Sequence, residues 1–257
     1  MTSNSNSRPK KQHPFLPWLD VLAVTAWGIL ILKHWFTGKL NLLIHPDYFW
    51  LANLGAVGLL IIGFFKAKQL WRQRRQDDVP SALHINVFPP GWGSSLLLTA
   101  AILGFIITPQ VFASDKALQR GVTDSLGTAR LKPQAFRANV RPEERSLVDW
   151  VRTVSVYPEP DAYTGQKVKV SGFVIHPPNL GQEYLFLARF VLTCCAADVY
   201  PVGLPVKLSG DRTQYPPDTW LEIEGKMVTE NLSGKRQLTI AATSLQKIPQ
   251  PKDPYVY

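Results

Sequence analysis

The sequence is poor in cysteine and in charged residues. Its 257 residues include only two cysteines, and Asp, Glu, Lys and Arg together make up 18%. Two cysteines cannot build a disulfide-stapled fold, and the sequence has no Cys-x-x-Cys or spaced Cys/His zinc pattern. It also lacks phosphate-loop, nucleophile-elbow and His-Glu-x-x-His motifs. Hydrolase and ATPase chemistry therefore have no support, and we expect a protein that is not an enzyme.

Positive charge is concentrated beside apolar stretches. Residues 1–93 contain ten Lys and Arg against four Asp and Glu, whereas residues 94–257 contain eighteen against fifteen, so +6 of the net +9 lies in the first third. A nucleic-acid-binding protein would place such an excess on a folded polar domain. Basic flanks next to apolar runs instead indicate membrane topology, and we expect no nucleic acid partner.

Three apolar segments are long enough to cross a bilayer, which needs about 20 residues in a helix. The predicted spans are residues 16–36, 48–65 and 92–112, and the second and third contain no charged residue. Buried core helices of a soluble protein are the less favoured alternative, because all three segments lack a polar face. We therefore predict a transmembrane region over residues 16–113, preceded by a basic cytoplasmic leader over residues 1–15.

The distribution of Lys and Arg predicts the orientation of these spans, because cationic residues near span ends stay in the cytoplasm. The leader contributes three cations and the loop between spans one and two contributes Lys33 and Lys39. The loop after the second span contributes five, which are Lys66, Lys68, Arg72, Arg74 and Arg75. We expect a multi-pass protein of the plasma (inner) membrane, with a cytoplasmic N terminus and, after three crossings, an extracytoplasmic C-terminal half.

Small residues recur at helical spacing in two of the spans. They are Ala52, Ala56 and Gly63 in the second span, and Ala100, Gly104 and Thr108 in the third. Small side chains let helix backbones approach closely. Two interpretations stay open: the helices pack on one another through these residues, or the residues form a docking face for a second membrane protein.

The C-terminal half is predicted to be a β domain. Residues 114–148 are polar and irregular and indicate a linker, with one short helix near residues 143–152, and a Pro-rich tail covers residues 249–257. Between them, the domain over residues 149–248 contains five segments with strand patterns, at residues 167–175, 183–192, 204–208, 219–228 and 237–248. Five short strands separated by Gly, Pro, Asn and Asp turns suit a small closed barrel.

Two glycines lie inside strands in matching contexts. Gly172 and Gly225 each follow an alternating run and precede more apolar residues. Strongly curved barrel strands commonly need Gly or a bulge at such points, as in the oligonucleotide/oligosaccharide-binding (OB) fold. The expected fold class is therefore an α+β membrane protein, with three transmembrane helices followed by a small OB-like β-barrel domain.

Both cysteines lie in one short segment, Thr193-Cys194-Cys195-Ala196-Ala197-Asp198. In an extended strand adjacent side chains point to opposite faces, so the pair can act on one target only if the strand ends or bulges here. Three interpretations stay open. The cysteines fill a tight structural site, or they bind zinc or copper together with Asp198 and His176, or they cycle through a strained vicinal disulfide.

Several features of the chain resemble the YcgQ-like membrane proteins, described as subunits of a two-component permease. The resemblance rests on the N-terminal helices and on three motifs, which are the Leu187–Asp198 run with its Cys-Cys-Ala-Ala-Asp ending, Pro201-Val-Gly203, and Trp220-x-x-x-x-Gly225. It implies a multi-spanning permease as partner and a link to zinc or other metal handling. It carries over no catalytic residue and no substrate.

Three functions follow from these interpretations. In the first, the chain is a membrane-anchored accessory subunit whose outer domain captures, gates or checks a permease's solute through Cys194, Cys195 and Asp198. In the second, it is an extracytoplasmic thiol redox protein. In the third, it is a structural membrane scaffold with inert cysteines.

Overall fold

The computed structural model describes residues 15–73, 91–122 and 141–257. The chain divides into two compact units, Met1–Pro109 and Gln110–Tyr257. The first unit is helical and the second is built on a β-sheet, and each is described by itself.

The described part of the helical unit contains three α-helices. They are α1 (Leu16–Phe36), α2 (Phe49–Gln73) and α3 (Trp92–Ile106). Helix α1 has the predicted bounds of the first span, whereas α2 continues past the predicted end of the second span at residue 65. The predicted leader up to residue 14 and the inner-loop cations Arg74 and Arg75 lie outside the described residues.

The predicted third span is too long at its C-terminal end. Helix α3 has 15 residues and stops at Ile106, and Ile107 is extended with φ −85° and ψ 109°. Pro109 explains this end, because a proline disfavours the helical conformation of the residue before it. A helix of 15 residues is about 22 Å long, which is less than the hydrocarbon thickness of roughly 30 Å. Thr108 therefore lies outside the helix that contains Ala100 and Gly104.

The helices expose large apolar side chains. Trp50, Phe64 and Ile106 are 67%, 64% and 72% exposed. Two segments, Leu16–Phe36 and Pro46–Arg72, are long and apolar enough to cross a membrane, and only 22% and 11% of their apolar windows are buried within the protein. A core helix of a soluble protein would bury most of its apolar surface. Length and exposure together indicate membrane association.

Small residues hold α1 and α2 together. A Cβ added at Gly28 would lie 2.9 Å from the side chain of Leu60 and 3.0 Å from the carbonyl oxygen of Ala56, which is itself fully buried. A Cβ added at Gly63 would lie 2.5 Å from Thr25 Oγ1. Ala56 and Gly63, for which both helix packing and a docking face were left open, therefore lie at contacts within this unit.

Helix α3 packs on the same central helix, α1. A Cβ added at Gly104 would lie 2.6 Å from Leu30 Cδ2. At the other end of α3, the Ser94 hydroxyl donates a hydrogen bond to Asp20, whose carboxylate also lies 3.9 Å from Lys66 Nζ. Both polar partners of Asp20 named here therefore belong to the helical unit. Ala52 is half-buried, and Ala100 and Thr108 are exposed.

The second unit contains a six-stranded mixed sheet. Its strands are β1 (Lys167–Ile175), β2 (Tyr184–Val191), β3 (Tyr200–Lys207), β4 (Trp220–Leu232), β5 (Lys235–Lys247) and β6 (Tyr255–Val256). Their order is β1-β4-β5-β3-β2-β6, with an additional pairing of β1 with β2. The β3–β5 and β2–β6 pairs are parallel and the others are antiparallel.

Two segments outside the predicted strands belong to this unit. Helix α4 (Ser114–Gln119) lies in the predicted linker, and β6 lies in the predicted Pro-rich tail, where Tyr255 pairs with Phe190 of β2. Helix α5 (Leu147–Val156) begins later than the predicted short helix. A capping box decides where it starts: Ser146 Oγ accepts from the Asp149 N–H at 3.1 Å, and the Asp149 carboxylate accepts from the Ser146 N–H at 3.3 Å.

One apolar core joins α5 to the sheet. Alternate residues of the strands face this core, as the period-two pattern predicts. Its fully buried members include Trp150, Val151, Val174, Leu185, Leu187, Val202, Leu204, Val206, Leu221, Ile223, Met227 and Ile240. The sheet positions the turn between β2 and β3, which carries both cysteines.

Gly172 and Gly225 lie at close contacts with the backbone of neighbouring strands. A Cβ added at Gly172 would lie 2.5 Å from the carbonyl oxygen of Ala188, and one added at Gly225 would collide with the carbonyl oxygen of Ala241. The β4–β5 register shifts between Glu224 and Gly225, which marks a β-bulge. The prediction that Gly225 lies at a bend in its strand is therefore confirmed.

Candidate functional site

The cysteine segment forms a turn between two paired strands. Strand β2 ends at Val191 and β3 begins at Tyr200. The Asp198 N–H donates to the Cys195 carbonyl oxygen at 3.0 Å, which closes a four-residue turn. The strand thus ends before the cysteines, which is the condition under which both thiols can face one target.

The Asp198 carboxylate organises this turn. It accepts hydrogen bonds from the Cys194 N–H at 2.9 Å, from the Cys195 N–H at 3.2 Å and from the Thr193 hydroxyl. Burial opposes ionisation of Asp198, but the hydrogen bonds from Thr193, from the Cys194 thiol and from the two backbone N–H groups outweigh it and lower its pKa to about 2. Asp198 is therefore an anion at any physiological pH.

The two thiols lie side by side. Their Sγ atoms are 3.7 Å apart, and each offers a ligand atom within 4.8 Å of the other and of an Asp198 oxygen. Cys194 is exposed and Cys195 half-buried. The hydrogen bond to the Asp198 carboxylate, followed by the contact with Cys195, raises the pKa of Cys194 to about 11. The Cys194 thiol consequently keeps its proton at neutral pH.

This donor set fits a soft or borderline metal ion. Zn–S bonds of about 2.3 Å in a tetrahedral site place two sulfurs about 3.8 Å apart, and the observed separation of the Cys194 and Cys195 sulfurs is 3.7 Å. Two thiolates and one carboxylate would leave a fourth position open, as in sites that exchange a ligand. Zinc and copper are the ions that such ligands favour.

His176 is not part of this cluster. Strands β1 and β2 are antiparallel, and Ile175 pairs with Phe186 near the start of β2, whereas the cysteines follow the end of β2. The His176 Nε2 atom instead lies 2.9 Å from the Tyr215 carbonyl oxygen. The predicted four-residue ligand set is therefore reduced to Cys194, Cys195 and Asp198, because strand pairing separates His176 from them.

The sequence interpretation also passed over Arg189. This arginine is the only charged residue in the apolar run from Tyr184 to Leu192, and its neighbours on the same strand face, Leu187 and Val191, belong to the core. One charge in an otherwise apolar strand is the signal that could have identified it. The two carboxylates of Glu222 and Glu224, by contrast, both pair with Lys169 at 3.1 Å and 2.8 Å.

The chain combines an apolar helical unit with a β domain that carries a cysteine turn, and part of it is similar to known proteins. Residues 136–257 match the family described as the DUF1980 C-terminal domain. Over these residues the β domain is similar to the DUF1980 C-terminal domain, and the resemblance to YcgQ-like proteins is confirmed.

Two curated relatives are similar to part of the chain. A Streptococcus mutans protein named "Putative two-component membrane permease complex subunit" is 33% identical over 104 residues, which are 40% of this chain and 37% of that protein. The Bacillus subtilis protein named "UPF0703 protein YcgQ" is 27% identical over 105 residues, which are 40% of this chain and 36% of that protein. The chain thus matches well under half the length of either relative.

Proposed function

We propose that this chain is a membrane-anchored accessory subunit of a permease, and that its β domain binds a metal ion or metal-bearing solute at Cys194, Cys195 and Asp198. The name of the Streptococcus mutans relative and the exposed apolar helices support the first part. The single observation that carries the second is the convergence of three donor atoms within 4.8 Å on an exposed turn.

In this proposal the β domain lies outside the cytoplasm. The C-terminal end of α2 carries Lys66, Lys68 and Arg72, which favour a cytoplasmic end for that helix. Helix α3 alone is short for a bilayer, and a short spanning helix is accommodated by local thinning of the bilayer. Three crossings then bring the cysteine turn to the outer side.

The strand pairings support the OB-like barrel as the frame of this domain. Starting from β1, the pairs run to β4, β5, β3 and β2, and β2 pairs again with β1. Pairing that returns to its starting strand is the pattern of a closed barrel. The parallel β3–β5 pair and the bulge at Gly225 accompany this closure.

The chemistry of the turn favours metal binding over thiol redox exchange. Redox-active cysteines have a lowered pKa, which supplies the attacking thiolate, whereas the pKa of Cys194 is raised. A bound metal ion deprotonates a coordinating thiol outright. Binding should therefore release a proton from Cys194 and strengthen as the pH rises.

A cobalt titration of the purified full chain in detergent tests the metal site. Co²⁺ replaces zinc in thiolate sites and produces a thiolate-to-cobalt absorption band. We expect this band in the wild type, and its loss in Cys194→Ser and in Cys195→Ser. His176→Gln is the matched control and should keep the band, because His176 lies at the other end of β2.

Two outcomes would overturn the metal proposal. One is an unchanged band in either cysteine variant. The other is disulfide exchange that both cysteine variants abolish while metal content stays constant, which would establish the redox function. If the double serine variant behaves like the wild type under metal limitation, the cysteines are inert and the scaffold function is correct.

The permease partner is tested separately. Affinity purification of the tagged full chain from native membranes should return a multi-spanning membrane protein in constant ratio to the chain. Purification without any such protein would contradict the accessory-subunit function while leaving the metal site intact.

A further inference from the structure

Arg189 lies where the β1–β2 pairing stops. Only three residue pairs join these strands, and the pair formed by Phe173 and Ala188 is at the end next to Arg189. Beyond it, β1 continues in pairing with β4, and β2 continues in pairing with β3 and β6. The two strands therefore diverge at Arg189 and leave an opening between them.

The Arg189 guanidinium is largely buried, and its hydrogen-bond donors are not all paired. Its Nη1 atom is inaccessible and has no hydrogen-bond partner among the described residues, and none of the ion pairs between described residues includes Arg189. The guanidinium lies 5.0 Å from the centre of the Trp220 ring. Burial lowers the pKa of Arg189, in keeping with the cost of an unpaired charge.

A polar cavity of about 300 Å³ occupies the opening. Its charged lining residues are Arg189, Arg145, Lys169, Glu143, Glu144 and Glu222. Lys169 and Glu222 are paired with each other at 3.1 Å. Arg145 lies over the Trp150 ring at 4.9 Å, as Arg189 does over Trp220. Arg189 and Arg145, each close to an indole ring, therefore line the cavity together with the exposed Glu143 and Glu144.

We propose that this cavity binds a small monocarboxylate, whose oxygens accept hydrogen bonds from Arg189 and Arg145. A planar carboxylate matches the fork of an arginine, and the volume suits a small solute. The exposed carboxylates of Glu143 and Glu144 disfavour a dianion such as phosphate. The site is separate from the cysteine turn and does not depend on the metal-binding proposal.

Thermal unfolding of the purified full chain in detergent tests this site, with sodium acetate as the probe and sodium chloride at equal ionic strength as the reference. A ligand that binds the folded state raises the unfolding midpoint in a saturable way. We expect such a rise with acetate and a smaller one with phosphate. Arg189→Met should raise the dissociation constant for acetate at least tenfold, and in chloride it should be no less stable than the wild type, because it removes an unpaired buried charge.

Controls separate this site from general effects of charge. Lys167→Met removes an exposed cation of β1 outside the cavity and should keep the acetate response. Arg189→Lys keeps the charge without the fork and should weaken acetate binding, which supplies a second readout if Arg189→Met fails to fold. An acetate response no larger than that of chloride, or one that survives in Arg189→Met, would refute the proposal. The response should be unchanged in Cys194→Ser and Cys195→Ser.

Discussion

At the scale of single residues, Asp198 controls both the shape and the reactivity of the cysteine turn. Its carboxylate binds the N–H groups of Cys194 and Cys195, and its hydrogen bond with the Cys194 thiol raises the pKa of that thiol. An exposed thiol is therefore kept unreactive at neutral pH. A metal ion that replaced that proton would convert the thiol into a thiolate ligand.

Thiol alkylation measures this control. With the pKa of Cys194 at about 11, the thiolate fraction and the rate of iodoacetamide labelling should rise about tenfold per pH unit between pH 7 and 10. Asp198→Asn removes the main cause of the raised pKa, so labelling of Cys194 at pH 8 should become at least about tenfold faster. Fragment-ion mass spectrometry of the peptide that contains both cysteines distinguishes labelling of Cys194 from labelling of Cys195 and reports the rate.

Asp211→Asn is the matched control for this experiment. Asp211 also caps a loop, with its carboxylate accepting from the Thr213 N–H at 2.7 Å, but it lies in a different turn. Its replacement should leave the labelling of Cys194 unchanged. Equal labelling rates in the wild type and Asp198→Asn would show that the carboxylate does not hold the thiol proton.

The cysteine cluster was accessible to sequence reasoning because its members are close in the chain. Cys194, Cys195 and Asp198 lie within one turn, so local backbone geometry brings them together. The prediction that His176 is a metal ligand was wrong, because β1 pairs with the start of β2 and the cysteine turn follows the end of β2. The sequence does not reveal this pairing. The single charge of Arg189 in an apolar run is visible in the sequence, whereas the divergence of β1 and β2 beside it leaves no local pattern.

At the scale of elements, the sheet depends on glycines at close strand contacts. An alanine at Gly172 or Gly225 would push its Cβ into a neighbouring carbonyl group. We expect each of Gly172→Ala and Gly225→Ala to destabilise the β domain by about 2 kcal/mol, as for other overpacked sites. Gly210→Ala should be neutral, because its added Cβ would find its nearest neighbour at 3.8 Å.

Denaturant unfolding, followed by the circular dichroism of the sheet, measures these differences. A neutral Gly172→Ala or Gly225→Ala would mean that the strands are less closely paired than these backbone contacts indicate.

The packing of α1 against α2 is tested in the same way, by enlarging a glycine. Gly63 lies against Thr25, whereas Gly55 faces open space. Gly63→Leu should separate α1 from α2 and lower the unfolding midpoint in detergent, at a cost of about 1–3 kcal/mol. Gly55→Leu should leave that midpoint unchanged, and a matching loss in both variants would contradict the packing role of Gly63.

The observed bounds of helices and strands agree with the predicted ones where an apolar pattern ends at a helix- or strand-breaking residue. The bounds of α1 and β1 agree with prediction because apolar runs end there at polar or turn residues. Helix α3 ended early because Pro109 acts on the backbone while leaving the apolar composition intact. Strand β6 was missed because two residues carry no period, and only pairing with β2 orders them.

At the scale of the whole molecule, the side of the membrane on which the β domain lies depends on α3. Two long helices alone would return the chain to the cytoplasm, whereas a third crossing brings the cysteine turn outside. We expect alkaline phosphatase fused after Tyr257 to be active, and green fluorescent protein at that position to be dark. Both results should reverse when residues 91–109 are deleted.

A cytoplasmic reporter in the intact chain would place the cysteine turn inside the cell. The capture of an external solute and any vicinal disulfide would then both be wrong, because the cytosol is reducing.

The amino-acid sequence by itself determined the division into an apolar helical part and a strand-rich part, and it located the cysteine turn. Hydrophobic periodicity and adjacency along the chain are local properties, so they are present in the amino-acid sequence itself. Tertiary structure decided that Ala56, Gly63 and Gly104 pack against α1, that His176 stays away from the thiols, and that Arg189 faces a polar cavity. These outcomes depend on which strands and helices become neighbours, and the number of residues between two positions does not reveal which elements pack together.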